Sequence, residues 1–325
     1  MNQKILDVLN NYDVTLDIIK NAETPLIEIP VYVINLDINK FRRSYIKYIT
    51  KKMKINYTLV IVKKITDELK YKVTKKLKNG VLGCYLSHLW CINDAIQKNY
   101  KHFLIFEDDI VFHKNFEKMF KNLRYKDYDM IQMGCCDFNF HTNTKDCDIK
   151  DNIYYPKKLA LGAYGNIYNL NFAKIIFKEK INNCEEFDTS FDMYYNKYKM
   201  GICYPNIITT ELSTTNLHHD FSFFNKRKND YFVKKCFENF DYSNYYFIWI
   251  VFIEYCYEIY KKNKNNKMLS NSDYNEIINE FCDKQITEKK NMDNKDIIKN
   301  VLTNNNISVT DINEMLITLD NDKYV

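Results

Sequence analysis

His102-Phe103-Leu104-Ile105-Phe106-Glu107-Asp108-Asp109-Ile110-Val111-Phe112 is the stretch on which the reading of the chain turns. A run of strand-forming apolar residues from His102 ends abruptly in three consecutive carboxylates. Ionised carboxylates repel one another, and burying them without partners is costly. A divalent cation resolves the conflict, because Mg²⁺ or Mn²⁺ takes carboxylate oxygens and bridges to phosphates. On an extended segment residues i and i+2 face the same side. Glu107 and Asp109 are therefore expected to point together as metal ligands, with Asp108 aimed elsewhere. The competing reading is a solvated acidic turn after a buried strand.

Working upstream, Ile29 to Asp37 reads as a buried strand, Lys40 to Lys52 as a basic helix and Tyr57 to Val62 as a second strand. A charged helical connection runs to Lys78. The Asn79-Gly80 turn signal then opens a helix from Val81 to Lys98, with Leu82, Leu86, Leu89, Ile92 and Ile96 on one apolar face. Downstream, Asp129 to Met133, Leu161 to Tyr168 and Ile202 to Pro205 read as strands, and Asn171 to Lys180 and Phe187 to Lys199 as helices. Strands alternating with helices predict an α/β sandwich around a mostly parallel sheet, which takes ligands at the carboxyl ends of its strands. The acidic cluster lies where that rule puts a site. All six glycines fall between residues 80 and 201, marking where close backbone approaches are needed.

Three regions follow: a helical preface at 1–28, an α/β catalytic domain at 29–225 and a helical appendage at 226–325. The appendage is free of Gly and Pro, rich in Lys and Asn, and has a linker at Lys261 to Lys267. The length of 325 residues accommodates this division.

A net charge of +5, from 47 basic and 42 acidic residues well mixed along the chain, is too mild to point to nucleic acid. Ten cysteines without a C-x-x-C pair read as small, reduced, mostly buried hydrophobes. Met1 to Lys20 carries Asp7, Asp13 and Asp17 and does not read as a signal peptide. The most apolar run, Phe247 to Ile253, is interrupted by Glu254 and falls short of the roughly 20 residues of a membrane span. The expected setting is cytoplasmic, or a viral factory. Scarce Gly and Pro with abundant Lys, Asn and Ile favour an A+T-rich genome, such as that of a large DNA virus, a protozoan parasite or an A+T-rich bacterium. A homodimer is left open.

Three segments carry a resemblance in their order: Val31-Tyr-Val-Ile-Asn-Leu-Asp37 with Arg42-Arg43, Gly80-Val-Leu-Gly-Cys-Tyr-Leu-Ser-His-Leu-Trp90, and Leu104-Ile-Phe-Glu-Asp-Asp109. Together they resemble glycosyltransferase family 25, the group of lipooligosaccharide and procollagen galactosyltransferases. Weaker echoes follow in Gly162 to Tyr168, Phe187 to Asp192, and Tyr204 to Ile207 leading to Ser213. The resemblance covers about residues 29–220. It implies a GT-A-like fold, a UDP-sugar donor, Mn²⁺ (or Mg²⁺), and inversion as a galactose or glucose passes to a glycan or protein hydroxyl. One departure is that many relatives carry an Arg just after Asn-Leu-Asp, where this chain has Ile38-Asn39-Lys40 and Lys40 is the substitute.

Roles can then be assigned by position. Asn35 and Asp37 are expected to line the nucleotide pocket, with a capping role as the alternative for Asn35. Asp108 joins the same donor set. Arg42 and Arg43 are set to reach phosphate, against the alternative of a solvated basic face. Gly83, Ser87 and His88 lie on the helix preceding the acidic strand, whose N-terminus favours an anion, while His88 also fits as a packing histidine. Trp90 reads as core. An inverting transfer needs a general base. Asp188 and Asp192, spaced i, i+4 on the helix read there, are the candidates, against a cap and a surface residue, with Asp137 in reserve. His218 and His219, beside Asp220, are candidate metal ligands, against an exposed polar loop. The rival readings are a metal-dependent phosphoesterase and an inactive relative that binds glycans or partners.

Overall fold

The computed structural model describes residues 3–113, 115–137, 139–144, 151–210, 246–262, 268–288 and 308–321. Its centre is three parallel strands built from the most apolar runs: β2 (Val31–Leu36), β3 (Tyr57–Val62) and β4 (His102–Glu107). Between β2 and β3 lies helix α2 (Lys40–Lys52); between β3 and β4 lie α3 (Asp67–Val73) and α4 (Asn79–Gln97). Alternate side chains of these strands enter opposite cores, as period-two geometry requires. Tyr32, Ile34, Phe103 and Ile105 pack on the side of α4, with Leu82, Leu86, Leu89 and Ile92. Val31, Val33, Leu104 and Phe106 pack on the side of α2, with Ile46. Both faces of the sheet are thus covered, which is why β2 is buried continuously from Val31 to Asn35 rather than at alternate residues.

Upstream of these strands come α1 (Gln3–Asn10) and β1 (Val14–Ile19). After β4 come β5 (Ile110–Phe112), α5 (Phe116–Lys121), β6 (Met130–Gln132), α6 (Phe140–Thr144), β7 (Ile153–Tyr154), β8 (Gly165–Asn169), α7 (Leu170–Asn182), α8 (Asp192–Tyr195), β9 (Met200–Cys203) and β10 (Ile208–Thr210). The main sheet has the order β1-β3-β2-β4-β8-β6-β9-β7, and β5 pairs with β10 beside it. Strands β2, β3, β4, β6 and β9 run one way, and β1, β7 and β8 run against them.

The expected α/β sandwich with a mostly parallel sheet is present, with β1, β7 and β8 running against the rest, since apolar periodicity reveals that a strand exists but not which way it runs. Two other expectations need correction. The preface is not purely helical, since Val14–Ile19 joins the sheet edge antiparallel to β3. The helix read over Phe187 to Lys199 is a series of turns around the four-residue α8. Phe187, Phe191, Tyr194 and Tyr195 are all buried, and their spacing imitates one helical face.

Beyond residue 245 the described elements are helices: α9 (Tyr246–Lys262), α10 (Asn271–Glu288) and α11 (Val309–Asp320). They share a core with α2, in which Tyr48 meets Phe252, Ile278 and Leu316. Ser44 Oγ donates to the Met315 carbonyl at 3.1 Å. Helix α2 therefore sits between the sheet and these C-terminal helices. No disulfide joins the described cysteines, and no helix among the described residues is long and apolar enough to cross a membrane.

Gly134 shows how closely the sheet and the β5–β10 pair approach. A Cβ at this position would lie 2.1 Å from the Ile208 carbonyl oxygen. Gly134→Ala must displace β10, and it is expected to cost about 1–3 kcal/mol. An unchanged unfolding midpoint would show that the approach is looser than the structure indicates.

Candidate active site

Strands β2 and β4 are neighbours in parallel register, with Ile34 opposite Glu107, so their carboxyl ends open on the same edge. Asn35 to Asp37 leave one strand there and Glu107 to Asp109 leave the other. Strand β4 ends at Glu107, and Asp108 and Asp109 form the turn into β5. The period-two pattern therefore stops one residue too early to aim Glu107 and Asp109 together. Instead Asp108 and Asp109 share Arg42, whose Nη1 lies 3.1 Å from Asp108 Oδ1 and 3.3 Å from Asp109 Oδ2. Glu107 turns to helix α4.

Asp108 is buried and joins the two strand ends. Besides Arg42, it accepts a 2.6 Å hydrogen bond from Asn35 Nδ2. Asn35 Oδ1 in turn accepts from Arg43 Nη1 at 2.5 Å, and the same Nη1 donates to the Asp37 carbonyl at 3.0 Å. Arg43 is only 1 % exposed, so it lies on neither a solvated face nor a phosphate-facing one. It braces the end of β2, and through Asn35 it fixes Asp108. Asp37 is half-buried, and its Oδ1 accepts from the Ile38 amide at 2.8 Å. Lys40 Nζ lies over the rings of Phe41 and Tyr257, 5.4 and 5.0 Å from their centroids.

Asp109 is the group with the least compensation. Its Oδ1 is buried with no hydrogen-bond partner among the described residues. Burial pushes its pKa from 3.8 up to about 7; Arg42 opposes this, and the charges of Glu107 and Asp108 add to it. The folded state therefore holds this proton more tightly than the unfolded chain does. The associated stability is complete below pH 3.8 and is lost as pH rises to about 7. Asp109→Asn removes the buried charge, so in chelator-treated buffer at pH 8 it is expected to stabilise the fold by about 1–3 kcal/mol. The gain should vanish near pH 4. A variant destabilised equally at both pH values would contradict this electrostatic account.

On the other side, Glu107 Oε1 lies 3.0 Å from His88 Nε2 and 3.7 Å from Cys84 Sγ. His88 is fully buried and stacks on Phe187, with ring centroids 4.7 Å apart. Ser87 and Gly83 lie within packed surfaces of α4. Ser87 Oγ donates to the Gly83 carbonyl at 2.7 Å, and a Cβ on Gly83 would lie 3.3 Å from Ile65. Trp90 is half-buried against the core.

Asp188 comes close enough to Glu107 to feel its charge. It is half-buried, burial raises its pKa, and its Oδ2 accepts the Gly162 amide at 2.7 Å. Gly162 has φ +148°, a conformation that L side chains rarely adopt. The loop carrying Asp188 is pinned from α7 by the buried Lys180, whose Nζ bonds to Ser190 Oγ and reaches the Glu186 carbonyl at 3.4 Å. Asp192, at the start of α8, is exposed, so the two carboxylates do not share a helical face. Asp137 is fully buried and accepts from Tyr154 Oη at 2.7 Å, from the Asn139 amide at 2.8 Å and from Asn143 Nδ2. That network joins the segment after β6 to β7. His218, His219, Asp220 and Ser213 lie outside the described residues. Cys84 and Lys180 are not among the site candidates read from the sequence. The i, i+4 spacing of Cys84 and His88, on the helix leading into the acidic strand, was the available signal for the first.

Carboxylates thus gather where adjacent parallel strands end, the position at which α/β sheets generally take their ligands. Residues 28–161, from just before β2 through the acidic cluster, match the model for glycosyltransferase family 25 (LPS biosynthesis protein). That segment is similar to family 25 glycosyltransferases, a family whose members transfer a sugar from a donor to an acceptor. No curated protein matches the chain.

Proposed function

We propose that the chain transfers a hexose, galactose or glucose, from a UDP-sugar to a glycan or protein hydroxyl, with inversion at the anomeric carbon. The observation that carries this reading is the buried Oδ1 of Asp109 at the strand edge, which has no hydrogen-bond partner among the described residues, next to two further carboxylates and the clamping Arg42. An orphaned carboxylate oxygen with a raised pKa fits a hard cation, so Asp109 would hold Mn²⁺ or Mg²⁺, with Asp108 beside it. Bound there, the ion would offset the charge that develops on the diphosphate as the sugar leaves.

The chain's own residues supply the rest. Arg42, held between Asp108 and Asp109, orients both carboxylates and contributes positive charge at the edge where a diphosphate would lie. Asn35 and Arg43 keep Asp108 in place from behind. Asp188 serves as general base. Burial raises its pKa above the usual carboxylate value, as suits a group that takes a proton from an acceptor hydroxyl. The acceptor oxygen attacks the anomeric carbon, its proton passes to Asp188, and the bond from that carbon to the UDP oxygen breaks.

A UDP-release assay with UDP-galactose and UDP-glucose tests this reading. Release that requires Mn²⁺ and falls by about 100-fold or more in Asp109→Asn supports it. Phosphate release from phosphomonoesters, without UDP release, would replace it with a phosphoesterase. UDP-sugar binding without turnover of any tested acceptor would replace it with an inactive binding relative.

A further inference from the structure

We infer that Cys84, His88 and Glu107 form a second cation site, distinct from Asp109, that takes a borderline-soft transition ion of the Zn²⁺ class and fastens helix α4 to the end of β4. Their ligand atoms all lie within 4.8 Å of one another. The separations are 3.0 Å from His88 Nε2 to Glu107 Oε1 and 3.7 Å from Cys84 Sγ to the same oxygen. A tetrahedral zinc with ordinary bond lengths sets its nitrogen–oxygen edge at about 3.3 Å and its sulfur–oxygen edge at about 3.5 Å. Those two edges need only a few tenths of an ångström of adjustment to match, and the third, from Cys84 Sγ to His88, lies within 4.8 Å.

The donor set also separates the two sites. A thiolate with an imidazole favours Zn²⁺ over Mg²⁺ or Mn²⁺, whereas Asp108 and Asp109 offer oxygen alone. Geometry supports the same division, because Cys84 and His88 stand i, i+4 on one face of α4 and Glu107 faces them from the adjacent strand end. His88 is fully buried, with its ring plane fixed by the stack on Phe187, so it is oriented before any ion arrives. The Glu107 side chain is 26 % exposed, which leaves a route from solvent for the ion and for a water as fourth ligand. A cation here would also offset the charge of Glu107, which bears on both Asp109 and Asp188. The inference does not depend on glycosyl transfer.

The test is metal binding by the full chain, read spectroscopically with Co²⁺ alone and by zinc analysis after dialysis against Zn²⁺. The wild type should retain about one zinc per chain, and the cobalt form should show a thiolate-to-cobalt charge-transfer band in the near ultraviolet. Cys84→Ser should abolish the band, and His88→Gln should weaken cobalt affinity by about tenfold or more. Asp109→Asn should leave the band in place. Cys84→Ser is nearly isosteric at a half-buried position, so folding does not confound it. No band in the wild type would overturn the inference. So would a band that survives Cys84→Ser, since Cys136 and Cys184 are also partly accessible. Loss of the band in Asp109→Asn would merge the two sites and likewise overturn it.

Discussion

Arg43→Met is expected to destabilise the protein by about 3–5 kcal/mol, the cost of breaking a buried charged network by removing one partner. The arginine is wholly enclosed, yet its guanidinium satisfies Asn35 Oδ1 and the Asp37 carbonyl and approaches the Leu36 carbonyl at 3.4 Å. Methionine fills the space of the aliphatic stem but leaves these acceptors buried and unsatisfied, at about 1–3 kcal/mol each. Asn35 then loses the contact that orients its amide towards Asp108, so donor affinity should fall along with stability. Arg43→Lys should recover only part of the loss, because its ammonium sits on a shorter stem and must reach the acceptors now met by Nη1. Chemical denaturation and UDP titration check both effects. A methionine variant as stable as the wild type would show that Arg43 is only space-filling.

Asp188→Asn should separate chemistry from binding. The amide oxygen can still accept the Gly162 N–H, so the loop should keep its place. Without a base, transfer should slow by about 10²- to 10⁴-fold while UDP affinity stays nearly unchanged. The pH profile provides a second check. As the proposed base Asp188 would act deprotonated, and its pKa is raised, so kcat/KM in the wild type should rise with pH through a window above the usual carboxylate range. That limb should be missing in the variant. Loss of UDP affinity with transfer otherwise intact would instead make Asp188 a donor contact.

Much of the scaffold around the site is legible in the sequence. Strands β2, β3 and β4 and helices α2 and α4 arise from continuous apolar runs or clear helical periodicity, and they lie within a residue or two of where those patterns put them. The sequence also brings the ends of β2 and β4 to one edge, since parallel strands joined by helices leave their carboxyl ends together. What it hides is partnership. The basic run Lys40-Phe-Arg-Arg looks solvated, and nothing local distinguishes the fully enclosed Arg43 from the half-buried Arg42. The directions of Glu107, Asp108 and Asp109 depend on where β4 stops, and a propensity for strand continues past that point into Ile110. Strand β10, which pairs with β5, is three residues long and carries no periodic signal. The Asp188 loop imitates a helix because its aromatic residues must be buried, while the buried Lys180 that pins it looks like an ordinary surface lysine.

The most direct test of the central claim is calorimetric titration of UDP into the wild type and Asp109→Asn, each with and without Mn²⁺. The account predicts tight binding only for the wild type with Mn²⁺, weakened by about 100-fold or more when either the ion or the carboxylate is removed. UDP binding that is indifferent to both would contradict it and separate the acidic cluster from the donor site.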